Sequence, residues 1–218
     1  MRDTERRLAE IPGLVRYENV PRDELMRRVA AATRETYSRE EVYGRFCTLE
    51  THIDCPPEDV FTYLADVYSH EEFTYSVREV EPVADRPGLF TGWDTVGEDT
   101  RIYMRVDARP EALTVDYHSA WDQGDDLWMV YLFRIVPAEV VLKRPGSVLL
   151  WTNCHHPYYA ENPYPELAPP SRTLWVGDLW SQFAPGHQVE LDNLRAILEH
   201  RHRNGIPIVA GRTEAAAR

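Results

Sequence analysis

From Phe46 the chain alternates apolar and polar residues, with Cys47, Leu49 and Ile53 on one side and Thr48, Glu50 and His52 on the other. Such a period of two predicts a half-buried strand. After Pro56-Pro57 the period changes: Val60, Phe61, Leu64 and Val67 recur at helical spacing, with Glu58 and Asp59 in the first turn. A proline at the start and acids near the positive end of the helix dipole make this a predicted helix N-terminus. A second short amphipathic piece follows and ends at Phe73.

Beyond it the pattern predicts strands over 76–83, 89–96, 100–108, 112–121, 127–137 and 147–156, after a first strand over 43–54. Their breaks are Arg86-Pro87-Gly88, Gly97-Glu98-Asp99, Arg109-Pro110-Glu111, Asp122-Gln123-Gly124-Asp125-Asp126 and Lys143-Arg144-Pro145-Gly146, all residues of turn chemistry. With no helices between them, these strands are expected to pair antiparallel. Residues 157–172 carry Pro157, Pro163, Pro165, Pro169 and Pro170 together with Tyr158, Tyr159 and Tyr164, which predicts an extended loop. The last helix is expected over about 185–204, with Val189, Leu191, Leu194, Ile197 and Leu198 on one face. At the N-terminus a short helix is expected over Thr4–Glu10 and a longer one from about Pro21 to Tyr37, with Leu25, Val29 and Ala32 on its apolar face. The longer helix is expected to cover an edge or an open side of the sheet; a dimer contact or a lid are its other uses. The expected division is a helical extension over 1–40, one domain over 41–205 and a tail over 206–218.

Strand parity places side chains, because neighbours on a strand face opposite ways. Met104, Tyr117, Ser119, Trp121, Met129, Tyr131 and Phe133 fall on the less polar side, opposite Arg101, Arg105, His118, Trp128 and Arg134. That set is the wall of an apolar cavity with a few hydroxyls; a filled core with hydrogen-bonded tyrosines is the competing reading. Among the histidines, His156 ends the last strand before the aromatic loop, and His187 lies on the apolar face of the last helix with Glu190 beside it. Imidazole titrates near neutral pH and suits proton transfer. No HExxH spacing occurs and no metal is expected from the spacings, while a site assembled from distant histidine and glutamate side chains is the open alternative.

The strand, the Pro56-Pro57-Glu58 turn and the helix after it, from Phe46 to Tyr68 and on to Phe73, resemble the opening of the SRPBCC superfamily, also called START-like or Bet v 1-like. The resemblance extends to its bacterial polyketide cyclase/dehydrase branch. It implies an α+β helix-grip fold: a curved seven-stranded antiparallel sheet wrapped around a long C-terminal helix, here with an N-terminal helical extension. It implies a deep apolar cavity and, in this branch, a small-molecule enzyme of secondary metabolism that closes or dehydrates a polyketide-derived chain. On that reading Tyr117, Tyr131 and His156 are the proton donors and acceptors. Trp93, Met104, Trp121, Met129 and Phe133 are walls, His187 and Glu190 flank the ligand, and Arg134 polarises a carbonyl if its strand is registered the other way. The Asp/Asn-x-x-x-His-x-x-x-x-His pattern of iron-binding relatives is missing, and no cofactor is expected. A non-catalytic carrier of a hydrophobic metabolite is the alternative, since the family contains both.

Composition narrows the partners. The net charge of −12 argues against nucleic acid and against an anionic membrane surface. The 43% hydrophobic content supports a sizeable core, and no apolar run reaches membrane-spanning length. Cys47, Cys55 and Cys154 fit no disulfide framework or zinc spacing. Met1-Arg2-Asp3-Thr4-Glu5 opens no signal peptide, so a cytoplasmic location is expected. Twenty-three of the twenty-four basic residues are arginine, a bias that suits a GC-rich bacterial genome.

Overall fold

The computed structural model describes residue 8 and residues 11–36, 46–97 and 100–212. The helix expected over Thr4–Glu10, Leu8 apart, and the tail from Thr213 lie outside the described residues. Seven strands form one antiparallel sheet: β1 (Phe46–Ile53), β2 (Val77–Pro82), β3 (Phe90–Asp94), β4 (Thr100–Arg109), β5 (Thr114–Trp121), β6 (Met129–Pro137) and β7 (Ser147–Cys154). Their order across the sheet is β1-β7-β6-β5-β4-β3-β2, so the chain steps from one edge to the other and then returns by neighbours. The helices are α1 (Arg22–Thr36), α2 (Pro57–Ala65), α3 (His70–Phe73), α4 (Ala138–Leu142) and α5 (Trp180–Arg203). This is the α+β helix-grip architecture, with α5 held against the inner face of the sheet: His187 packs on Trp151 of β7 and Tyr131 of β6 at ring separations of 4.6 and 5.8 Å.

Helix α5 begins five residues before Pro185, where the sequence pattern had suggested its start. Proline lacks an N–H but does not prevent the turn before it from being helical, and a 3-10 turn over Val176–Leu179 leads directly into α5. At 24 residues the helix is about 36 Å long. Leu191, Leu194, Ile197 and Leu198 are completely buried, in one core with the inner face of the sheet. The short α4 after β6 was not expected from sequence; Val140, Val141 and Leu142 on it are exposed.

Parity holds across β4, β5 and β6. Met104, Tyr117, Trp121, Met129 and Phe133 are buried, while Arg105 and Arg134 are exposed. Trp128 departs from the expectation: it sits just before β6, where strand parity has no force, and is buried among His156, Tyr158, Tyr159 and Trp175.

The N-terminal extension is attached to α5 rather than to a sheet edge. Asn193 Nδ2 donates to Val15 O at 2.8 Å and to Phe73 O at 3.1 Å, and its Oδ1 accepts Val15 N–H at 3.1 Å. One buried amide thus satisfies three backbone groups from two segments. Leu25 and Val29 bury the apolar face of α1 within the chain. A second polar knot closes the C-terminal end: Glu72 accepts from Tyr63 Oη at 2.7 Å, Arg201 Nη2 at 3.0 Å and Gly211 N at 2.7 Å. No described helix is long and apolar enough to cross a membrane.

Candidate functional site

Between the inner face of the sheet, α5, α1 and the 70–77 segment lies a cavity of about 90 Å³. Its floor is apolar and aromatic, built from Met104, Trp121, Met129, Phe133 and Trp151, with Phe183 of α5 facing them. Half-buried Met26, Leu179 and Gln182 form the outer rim. The cavity is smaller than the ~300–1,000 Å³ of most ligand clefts, so a bicyclic guest fits only as this rim moves aside.

Two polar side chains of α5 face this space. His187 Nδ1 lies 2.9 Å from the carbonyl of Phe183. A carbonyl only accepts, so Nδ1 carries the proton and Nε2 presents its lone pair. Nε2 has no protein partner among the described residues and is reached from the cavity. Burial lowers the imidazole to about 3, which keeps it neutral at physiological pH. Glu190, one turn on, accepts the Tyr75 N–H on Oε1 at 3.3 Å, while Oε2 is without a protein partner among the described residues. Burial, aided by Asp94, raises its carboxyl to about 8 against the lowering effect of the Tyr75 N–H and of Arg78. Glu190 is therefore a neutral acid near pH 7. Gly186 lets this corner close up: a Cβ there would lie 2.9 Å from the Tyr75 hydroxyl.

The remaining titratable groups are arranged around these two. Tyr131 lies nearly parallel to the His187 ring, with 19° between the planes, and burial holds its hydroxyl protonated. His70 also lines the cavity, its Nδ1 buried without a partner among the described residues and its ring lowered to about 3 by burial. Asp94 is fully engaged, taking Trp121 Nε1–H at 3.1 Å and the Val96 N–H at 3.1 Å, so it fixes the orientation of the Trp121 wall. Two carboxyls and no lysine or arginine line the cavity among the described residues. That lining disfavours an anionic ligand, whose desolvation nothing here offsets.

The sequence-derived candidates divide accordingly. Tyr131, Met104, Trp121, Met129, Phe133, His187 and Glu190 come together on the cavity. Tyr117 does not: its hydroxyl donates to Leu64 O in α2 and the side chain is wholly buried behind His70 and Phe133. Arg134 is outward and exposed, opposite Thr114. Trp93 also faces outward, because it pairs with Arg101, whose guanidinium lies 3.8 Å from the ring centre. On that short strand Phe90, Gly92 and Asp94 take the inner positions; a Cβ on Gly92 would meet Arg78 O at 2.9 Å, so the bulged β2 needs glycine there. A tryptophan beside a glycine drew the apolar face to the wrong side, and with it Asp94 was missed. His156 is set apart from the cavity. Its Nδ1 accepts the Tyr158 N–H at 3.2 Å and its ring packs 5.6 Å from Trp128.

The aromatic loop likewise packs beside the cavity. Tyr159 is buried against Trp180 and Phe183, Trp175 Nε1 donates to Tyr158 O at 2.8 Å, and Tyr164 Oη reaches Asp126 Oδ2 at 3.1 Å. The following turn supplies Val176 and Leu179 to the cavity lining. Tyr75, His70, Asp94 and Trp151 also line the cavity, and sequence reasoning did not single them out.

No protein-family model matches the chain. No curated protein matches it either. Solved structures do. The chain is similar to the Zhui aromatase/cyclase from Streptomyces sp. R1128, with a TM-score of 0.50 at 15% identity over 72% of this chain and 94% of that one. It is also similar to a START superfamily protein from Mycobacterium smegmatis (TM-score 0.49, 13% identity, 72% and 99% covered). A third match is the di-domain aromatase/cyclase BexL from the BE-7585A biosynthetic pathway (TM-score 0.49, 14% identity, 70% of this chain), of which it spans 45%. The first likeness, joined to the strand order and the gripped helix, shows the fold: a helix-grip fold like that of the Zhui aromatase/cyclase.

Proposed function

We propose that the cavity is a catalytic site for acid/base chemistry on a neutral or cationic hydrophobic small molecule, in the manner of the cyclases, aromatases and dehydratases that share this fold. One observation carries the reading: Glu190 and His187 stand one turn apart on α5, both lining a cavity whose floor is apolar and aromatic, with Oε2 and Nε2 without protein partners among the described residues. A carrier needs no ionisable group there, and burying one costs free energy that a purely apolar wall avoids. Glu190, poised near 8, donates a proton to a departing hydroxyl or an enolising carbonyl oxygen and recovers one from the adjacent carbon. The His187 lone pair orients a substrate hydroxyl, and the Tyr131 hydroxyl donates to a carbonyl. Confinement by the aromatic walls supplies the alignment.

The test uses 3-hydroxy-1-tetralone, which loses one water to give 1-naphthol and is followed by naphthol fluorescence. Acceleration by the wild-type chain, reduced about 10²–10⁴-fold in Glu190→Gln with binding retained, supports the enzyme. Binding without acceleration points to the carrier.

A further inference from the structure

Away from the cavity, three metal-binding side chains from separate parts of the fold converge. Cys55 follows β1, Asp59 lies in the first turn of α2, and His202 is in the last turn of α5. One ligand atom from each lies within 4.8 Å of the others. None of the three lines the cavity. The geometry points to a divalent-cation site of the zinc type at Cys55, Asp59 and His202, leaving a fourth position for water or a ligand.

The donor set suits that ion. Thiolate, imidazole and carboxylate together select zinc among the common divalent metals, and three protein ligands with one open position are the usual zinc arrangement where the metal is not purely structural. With metal–ligand bonds of about 2.0–2.3 Å, tetrahedral ligands stand roughly 3.5 Å apart. The exposed His202 closes that gap by rotating, while Cys55 and Asp59 stay on their turn.

The surroundings independently favour a cation. Asp54 and Glu199 stand beside the Cys55–Asp59 pair, and Asp54, Asp59 and Glu199 form no ion pair among the described residues. The C-terminal end of the 24-residue α5 adds the negative pole of its dipole. The site is also braced. Glu199 Oε1 accepts the Asp54 N–H at 3.0 Å, and Ser147 Oγ donates to Cys55 O at 2.6 Å, so the turn is already fixed to α5 and β7. On binding, the metal takes the place of the Cys55 thiol proton, which leaves to solvent. The thiolate and the Asp59 carboxylate then neutralise the dication.

Cobalt(II) titrated into the full reduced chain tests this. The expected result is a one-to-one complex with a thiolate-to-cobalt charge-transfer band and tetrahedral visible bands. Cys55→Ser abolishes the charge-transfer band, while Cys47→Ser and Cys154→Ser keep it. His202→Ala, at an exposed position that leaves the fold intact, and Asp59→Asn each weaken cobalt binding about 10–100-fold, and zinc displaces cobalt. The absence of a charge-transfer band at equimolar cobalt, its survival in Cys55→Ser, or unchanged affinity in His202→Ala overturns the proposal. Each of those outcomes leaves the cavity reading untouched.

Discussion

Arg172 grips Asp122 through two parallel hydrogen bonds, Nη1 to Oδ1 at 2.8 Å and Nη2 to Oδ2 at 2.6 Å, with each side chain only 3% exposed. The guanidinium also reaches Thr100 Oγ1 at 3.0 Å and lies 5.0 Å from the Trp121 ring and 5.6 Å from Trp175. The end of the proline-rich segment is thus fastened to the sheet behind a wall of the cavity. Removing one partner leaves a buried charge uncompensated. Arg172→Ala is expected to lower stability by about 3–5 kcal/mol, and the double variant Arg172→Met with Asp122→Asn to recover much of that. Denaturant midpoints decide it; a single-variant loss no larger than that of an exposed pair would show that the segment is held by its aromatic packing instead.

The cavity groups give the protein a pH profile of stability. Between pH 6.5 and about 3 the unfolded chain protonates at His70 and His187 while the folded form does not, so stability falls as pH drops below 6.5. Between pH 4.5 and about 8 the folded form keeps the Glu190 proton that the unfolded chain releases, so this group removes stability as pH rises. Where the windows overlap the two histidines outweigh the one acid, and the three groups together place maximal stability near pH 6.5. Glu190→Gln is expected to gain on the wild type from pH 5 to pH 8, by up to about 1.4 kcal/mol per pH unit. Urea denaturation of both proteins at four pH values measures that slope; a constant difference would mean that Glu190 ionises normally in the fold.

The site was legible where strand pairs are long and regular, and illegible where they are short. Across β4, β5 and β6, eight or more residues of alternation leave one solution for which side is inner, and Met104, Trp121, Met129, Tyr131 and Phe133 follow from it. On the five residues of β3 a single Trp–Gly neighbour pair outweighs the pattern, and Asp94 is lost. Helical spacing placed His187 on the apolar face of α5 with Glu190 flanking it, but only packing shows the burial that keeps both side chains neutral near pH 7. Tyr117 was correctly read as inward. An inward side chain can serve the core as well as the cavity, and which it does depends on the partner, Leu64 O, 53 residues away in a different element.

That distinction makes Tyr117 and Tyr131 a matched pair. Tyr117→Phe leaves the Leu64 carbonyl without its donor and is expected to cost about 1–3 kcal/mol of stability, with no change in tetralone turnover. Tyr131→Phe is expected to lower turnover about 10²-fold with little effect on the denaturation midpoint. The reverse pattern would move the carbonyl-polarising hydroxyl to Tyr117.

His156 is the sharpest test of whether the aromatic loop takes part in chemistry. Its Nδ1 is occupied by the Tyr158 N–H, which fixes the proton on Nε2 and makes the side chain the cap of the Pro157–Tyr159 turn. Its ring faces Trp128 and Tyr158, and the cavity lies on the other side of Tyr159 and Phe183. A group so placed orders the loop and transfers no proton to a bound ligand. His156→Gln is therefore expected to turn over 3-hydroxy-1-tetralone at the wild-type rate while losing about 0.5–2 kcal/mol of stability from the weakened cap. If its turnover instead falls as far as that of Glu190→Gln, the proton passes through the loop, and Glu190 is left to orient the substrate.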